Sequence, residues 1–239
     1  MKVKFPLLAI AAFALAASAQ TVTITPKKVT YRRPKPQYAS KRTFTVTYPK
    51  VHASSPALSA KIERAISYES VLDLRVQDEI RREQWLEEAN YEVKYNKSGI
   101  LCMSLWMEGT AAYPDSTTKI VVVDTRTGVR ARASDVFTNI PGLTAMVKKA
   151  QKAEAVKSLA ELKKDPENEG IEDAFKTAEE YNPLKIDEYS VSEKGVTFHY
   201  DYGFAHVIQA LQPDGEYFYT WAQLRPYIKK GGLLTRIAG

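Results

Sequence analysis

Residues 43–51, TFTVTYPKV, alternate Phe44, Val46 and Tyr48 with threonines, the period-2 mark of a strand with one buried face. The period then changes. Leu58, Ile62, Ala65 and Ile66 form one apolar stripe behind Ser55 and Pro56, an N-cap and first-turn pair that predicts a helix. A second helical run is expected through Leu72, Val76 and Ile80, ending near residues 82–90. Alternation returns at Tyr91, Val93 and Tyr95, and Asn96 to Gly99 supply a hairpin turn. In the next stretch, GILCMSLWMEG, apolar residues occupy both faces of the expected strand. KIVVVD, TRTG and VRARA make a further strand–turn–strand unit, so this part reads as a meander.

Beyond SDVF, Leu143, Met146, Val147 and Ala150 recur at i, i+3, i+4 and i+7, and the helix is expected to reach Leu162. Pro166 and Gly170 break it, and Ile171–Tyr181 predicts a shorter helix. Two hairpins follow, one turning at Ser192–Gly195 and one at Pro213–Gly215, before a short amphipathic closing element at 220–228. The predicted class is α+β: an antiparallel meander sheet packed against several helices.

The N-terminus changes the picture of where this fold works. Lys2 and Lys4, an apolar run from Phe5 to Ala17, and Ala17-Ser18-Ala19 have the anatomy of a secretory signal peptide over residues 1–19. The run is shorter than the roughly 20 apolar residues that span a bilayer. The expectation is an exported chain, periplasmic or secreted, with no transmembrane segment after cleavage. Residues 20–42 are rich in Thr, Pro, Lys and Arg and read as a basic, solvated linker. Residues 43–90 then form an N-terminal strand–helix–helix region, and 91–239 a C-terminal α+β domain.

Removing the first nineteen residues takes away Lys2 and Lys4 and lowers the net charge from +6 to +4. Both signs are interspersed, which is no nucleic-acid signature, and the expected export argues further against DNA, so no nucleic-acid partner is expected. Cys102, the single cysteine, permits no internal disulfide and reads as a small buried hydrophobe.

Candidate chemistry is sparse. Asp124 ends a β-branched run before Thr-Arg-Thr-Gly, which resembles catalytic aspartates, yet no second Asp-Thr element or phosphate loop accompanies it. Asp and Gly at this spacing suit a tight turn. His199 and Asp201 share a strand face and His206 follows, a weak metal-ligand set because spacing fixes only two ligands. Neither a nucleophile-elbow motif nor His-Glu-x-x-His occurs, and no motif calls for a cofactor. Aromatic residues crowd the C-terminal third, and Tyr202, Tyr217, Tyr219 and Trp221 are the expected ligand-binding residues, since exposed Tyr and Trp favour protein and glycan interfaces.

The order FTVTYPKV, two helices, YEVKYNKSGILCMSLWMEG, VVVDTRTGVRARASDVF, helix, and GVTFHYDYGFAHVIQALQPDGEYFYTWAQLRPYI resembles the RsiV-type extracellular domain family. That domain, of unknown function, is shared with the accessory region of a bacterial peptidoglycan deacetylase. The resemblance covers most of residues 43–230, with Asp124, Thr127, Gly128, Asp135 and Phe137 at the family's D-x-x-T-G and D-x-F positions. The family's His-containing loop is replaced by GTAAYPD, residues 109–115. The resemblance implies a non-enzymatic envelope binding or sensing domain whose ligand is a glycan or a protein. The alternative is a hydrolase or metal-dependent enzyme acting on cell-wall material.

Overall fold

Strand β4 (Ile100–Thr110) is apolar on both faces, and the fold covers both. In the computed structural model, which describes residues 22–238, Ile100 and Cys102 enter one core while Leu101, Met103 and Leu105 enter another. The expected signal peptide lies outside the described residues. Strand β5 (Pro114–Asp124) divides in the same way, with Val122 on one side and Val121 and Val123 on the other. The two belong to a six-stranded sheet with β1 (Thr23–Arg32), β2 (Thr43–His52), β3 (Leu86–Lys97) and β6 (Val129–Arg130), ordered β1-β2-β3-β4-β5-β6. All neighbours are antiparallel except β2 and β3.

A parallel pair needs a crossover. Here it consists of α1 (Pro56–Ala65), α2 (Tyr68–Leu72), α3 (Val76–Asp78) and a π-type turn at Glu79–Glu83. Ser55 caps α1 as expected, its Oγ accepting from Leu58 N at 3.2 Å. The long second helix does not form. Asp73 and Gln84 take left-handed backbone (φ 53° and 51°), and residues 86–90 already belong to β3. Leu72 and Leu74 are both buried, so core burial follows a turn rather than one helical face.

The linker expected over 20–42 also needs correcting. Thr23–Arg32 pairs with β2 through ten consecutive residues. Its Pro26, Lys27 and Lys28 are typical protection for an exposed sheet edge, where proline is tolerated and lysine deters further pairing. Arg33 follows, 1 % exposed. Its guanidinium donates to the carbonyls of Lys41, Glu79 and Leu86 at 2.8–2.9 Å and to Glu79 Oε2 at 3.2 Å, and its carbon lies 4.4 Å from the Phe44 ring centroid. Glu79 Oε2 also accepts from Leu86 N at 2.9 Å, so one ion pair fastens three segments.

The other face carries α4 (Ala133–Val136), α5 (Ile140–Leu162), α6 (Ile171–Tyr181), α7 (Trp221–Leu224) and a second antiparallel sheet. That sheet has the order β7 (Tyr189–Val191), β8 (Gly195–His199), β9 (Glu216–Thr220). The β7–β8 hairpin turns where expected. The second hairpin does not form, because residues 206–211 make a 3₁₀ helix and β9 pairs with β8 instead. Gly215 (φ 65°) makes that return possible: a Cβ there would stand 1.9 Å from Tyr200 O, whose N–H it accepts at 2.8 Å. The predicted α+β class holds, with a mostly antiparallel main sheet. No helix among the described residues is long and apolar enough to cross a membrane.

Candidate functional site

Asp124 turns the chain. Its Oδ1 accepts from Arg126 N at 2.9 Å, its carbonyl accepts from Gly128 N at 2.8 Å, and Gly128 takes φ 72°. Both carboxylate oxygens also accept from Arg236, at 2.9 Å each. Partial burial raises the carboxyl pKa, but the Arg236 fork, the Arg126 amide and their charges outweigh it and hold the group below its ordinary range. Downstream, Asp135 Oδ2 accepts from Arg132 N at 2.9 Å and closes the first turn of α4, with Phe137 buried behind it. The whole stretch pins the end of the sheet to the C-terminal segment.

Cys102 is buried between the two sheets. Burial pushes its thiol up to about 11 against a weaker opposing hydrogen bond from the Val191 backbone, leaving little thiolate near neutral pH.

The three candidate metal ligands separate. His199 and Asp201 border a cleft of about 350 Å³, whereas His206 lies in another, its ring 5.3 Å from that of Tyr113. Among the described residues no three or more His, Cys, Asp or Glu side chains are grouped closely enough to hold a metal ion. His199 Nε2 is 2.8 Å from Ser190 Oγ and its Nδ1 is 3.6 Å from Glu216 Oε1. Burial lowers the imidazole pKa against the pull of Glu216 and Glu188. Ser190, His199 and Glu216 thus follow the order of a nucleophile, base and acid. The cleft beside them is lined by His199 but not by Ser190, and Ser190 sits within a paired strand rather than on a turn that could present oxyanion donors.

The aromatic residues proposed for ligand contact are mostly core. Tyr202 and Tyr217 are buried, and their hydroxyls donate to Glu154 Oε2 on α5 at 3.1 and 2.7 Å; Gly215 N donates to Oε1 at 3.3 Å. Burial, then the neighbouring Tyr202 and Glu154, raise the Tyr217 phenol well above its ordinary value. Tyr219 OH donates to Met146 O at 3.3 Å, and Trp221 Nε1 donates to Glu193 O at 2.9 Å. These side chains hold α5 and the β7–β8 turn. Sheet alternation explains the outcome, because in β9 Tyr217 and Tyr219 share the inward face and leave Phe218 outside.

What these pillars leave open is a cleft of about 530 Å³ between α5 and α6. Ala155 and Leu159 of α5, Phe175 of α6, Leu184, Tyr200 and Tyr202 make its floor. Lys148, Lys152 and Lys176 stand at its mouth with Glu172 and Glu179, and Val156, 70 % exposed, extends the apolar surface outward. Lys152 pairs with Glu179 at 3.4 Å across the mouth, and Lys176 with Asp173 at 2.9 Å. Phe175 meets Tyr202 and Phe204 edge-on, at centroid distances of 5.9 and 5.0 Å, so the rings are engaged with one another. The sequence reading reached Tyr202 on the floor and missed the helical walls.

No protein-family model and no curated protein matches the chain in sequence. Solved structures do match in fold. A DUF3298 family member from Bacteroides fragilis superposes with a TM-score of 0.55 at 15% identity, over 91% of this chain and 98% of that one. A DUF3298 family protein from Pseudomonas aeruginosa superposes with a TM-score of 0.52 at 13% identity, over 88% and 94%. At these identities the likeness is one of fold, and the fold shared is that of a domain of unknown function.

Proposed function

We propose that this chain is an exported, non-enzymatic binding domain of the cell envelope, and that it seats an apolar segment of a partner protein in the cleft between α5 and α6. The observation that carries the reading is that cleft: an apolar floor, a few polar groups at the mouth, and a volume inside the ~300–1,000 Å³ span of ligand pockets. Its tyrosine rings, Tyr200 and Tyr202, are buried and leave little open ring face for a sugar, whereas small apolar walls at Ala155 and Leu159 suit a methyl-bearing side chain. Lys148 has no ion-pair partner among the described residues and favours an acidic group flanking the partner's apolar anchor. The signal-like N-terminus and the resemblance of segment order to RsiV-type extracellular domains support the envelope setting.

The test is retention of envelope proteins by the immobilised chain, compared with Ala155→Arg, which fills the cleft from a partly exposed helix position. The expected outcome is a specific partner lost from the variant while its circular dichroism and unfolding midpoint stay the same. Equal retention by the folded variant would remove the cleft from consideration.

A further inference from the structure

The tip of the β4–β5 hairpin forms a second cleft, remote in character from the first. Gly109 allows β4 to lie directly on the Trp85 carbonyl, where a Cβ would come within 2.1 Å, and Thr110 N donates to that same carbonyl at 3.1 Å. A bond from Ala111 N to Tyr113 O, 3.1 Å, closes the tip. Tyr113 is thereby held outward, 63 % exposed, with its ring inclined 31° to that of His206 on the facing 3₁₀ helix. Trp85, Tyr113, His206 and Phe204 line a space of about 370 Å³ together with Asp115 and Gln209.

The chemistry of this lining is specific. Unlike the pillars of the C-terminal core, its polar tips are uncommitted: among the described residues the Trp85 indole N–H, the Tyr113 hydroxyl and the side chains of His206 and Gln209 have no hydrogen-bond partner. Asp115 uses one oxygen to accept from Ser116 N at 2.7 Å and keeps the other. Exposed rings offer a surface to the C–H face of a ring ligand, and a carboxylate and an amide offer paired acceptors and donors to its hydroxyls. Lys and Arg are missing from the lining, so an anionic polymer finds no counter-charge and meets Asp115 instead.

We infer that this cleft is a carbohydrate-binding subsite taking an uncharged pyranose unit of an envelope glycan, stacked against Tyr113 and His206 and hydrogen-bonded by Asp115 and Gln209. It involves none of the residues of the α5–α6 cleft and stands or falls separately from that reading.

The experiment titrates the exported chain with chitotetraose and with cellotetraose, followed by calorimetry and by tryptophan fluorescence. One of the two is expected to bind saturably and to perturb the fluorescence, because Trp85 lies in the cleft. Tyr113→Ala and Asp115→Ala should each weaken binding by about tenfold or more, while Phe218→Ala, an exposed aromatic on the outer face of β9, leaves it unchanged. Tyr113 is exposed enough for the variant to fold, which its unfolding midpoint verifies. Saturable binding by neither oligosaccharide, or binding that survives both Tyr113→Ala and Asp115→Ala, would overturn the assignment.

Discussion

The two faces of the central sheet are closed by different means. On one, α1 and α2 bury Ile62, Ile66 and Tyr68 directly against Val46, Leu101, Met103 and Val123 of the sheet, the Tyr68 hydroxyl donates to Thr47 O at 2.7 Å, and the buried Arg33–Glu79 pair ties the margin. On the other, the second sheet intervenes, and tyrosines of β9 and of the segment after β8 stand between it and the helices with hydroxyls bonded at the far end: Tyr200 to the carbonyls of Ala178 and Asn182, Tyr202 and Tyr217 to Glu154, Tyr219 to Met146. The first face closes by direct contact of helix on sheet. A tyrosine pillar sets a helix at a ring's length and fixes it there, which leaves the space between α5 and α6 open. The difference teaches that helices laid directly on a sheet close their face, whereas helices held off by a second sheet and its tyrosines leave space between them.

The comparison breaks most easily at Arg33. Arg33→Ala removes one partner of a buried pair and strands Glu79 together with three carbonyls, and about 3–5 kcal/mol of stability should be lost. Chemical denaturation measures it. Replacing both charges, Arg33→Met with Glu79→Leu, should recover part of the loss, since no buried charge is then left alone. A single variant no less stable than the parent would show that the first face does not depend on this tie.

A smaller loss is expected on the pillared face. Tyr217→Phe keeps the ring and deletes one donor to Glu154, whose Oε2 still accepts from Tyr202, so about 1–2 kcal/mol should go. Urea midpoints of this variant and of Arg33→Ala, measured together, rank the two devices. A Tyr217→Phe loss equal to that of Arg33→Ala would erase the distinction between the faces.

What was legible in the sequence follows the same division. Strong periodicity placed β2, α1 and α5, the breaks at Pro166 and Gly170 bounded the weaker pattern of α6, and the run at 99–109, apolar on both faces, is a strand that serves two cores, with Cys102 in one and Leu101 in the other. Local turn chemistry placed Asn96–Gly99 and Asp124–Gly128, where Ser98, Gly99 and Gly128 take positive φ. Partner choice was not legible. Residues 23–32 carry the composition of a linker because an edge strand needs proline and lysine, and only pairing with β2 tells the two apart. Pro213–Gly215 has the composition of a hairpin turn, yet residues 206–211 before it form a 3₁₀ helix and the strand after it, β9, pairs with β8. For the candidate sites, an aromatic-rich segment pointed to the right third of the molecule. Which rings face inward depends on the register of β8 with β9, and the hydroxyl partners of Tyr202, Tyr217 and Tyr219 sit on α5, 48 to 73 residues away.

The seam between the faces offers the finest test. Asp124 ends β5, paired on one side with β4 and on the other with β6, and Arg236 belongs to the C-terminal segment, so their paired hydrogen bonds join the two halves of the comparison. Asn at position 124 keeps an oxygen for the Arg126 amide and loses the charge that holds Arg236, and about 1 kcal/mol should be lost near neutral pH. The pH dependence carries the sign. Because the folded-state pKa is depressed below the unfolded value of about 4, the carboxylate contributes its full stabilisation above that value and loses it as pH falls through the folded pKa. Unfolding free energies of the parent and of Asp124→Asn should therefore differ at pH 7 and converge as the pH drops below about 4. A gap that stays constant down the acid limb would mean that Arg236 reads the shape of residue 124 and not its charge, and that the turn alone joins the faces.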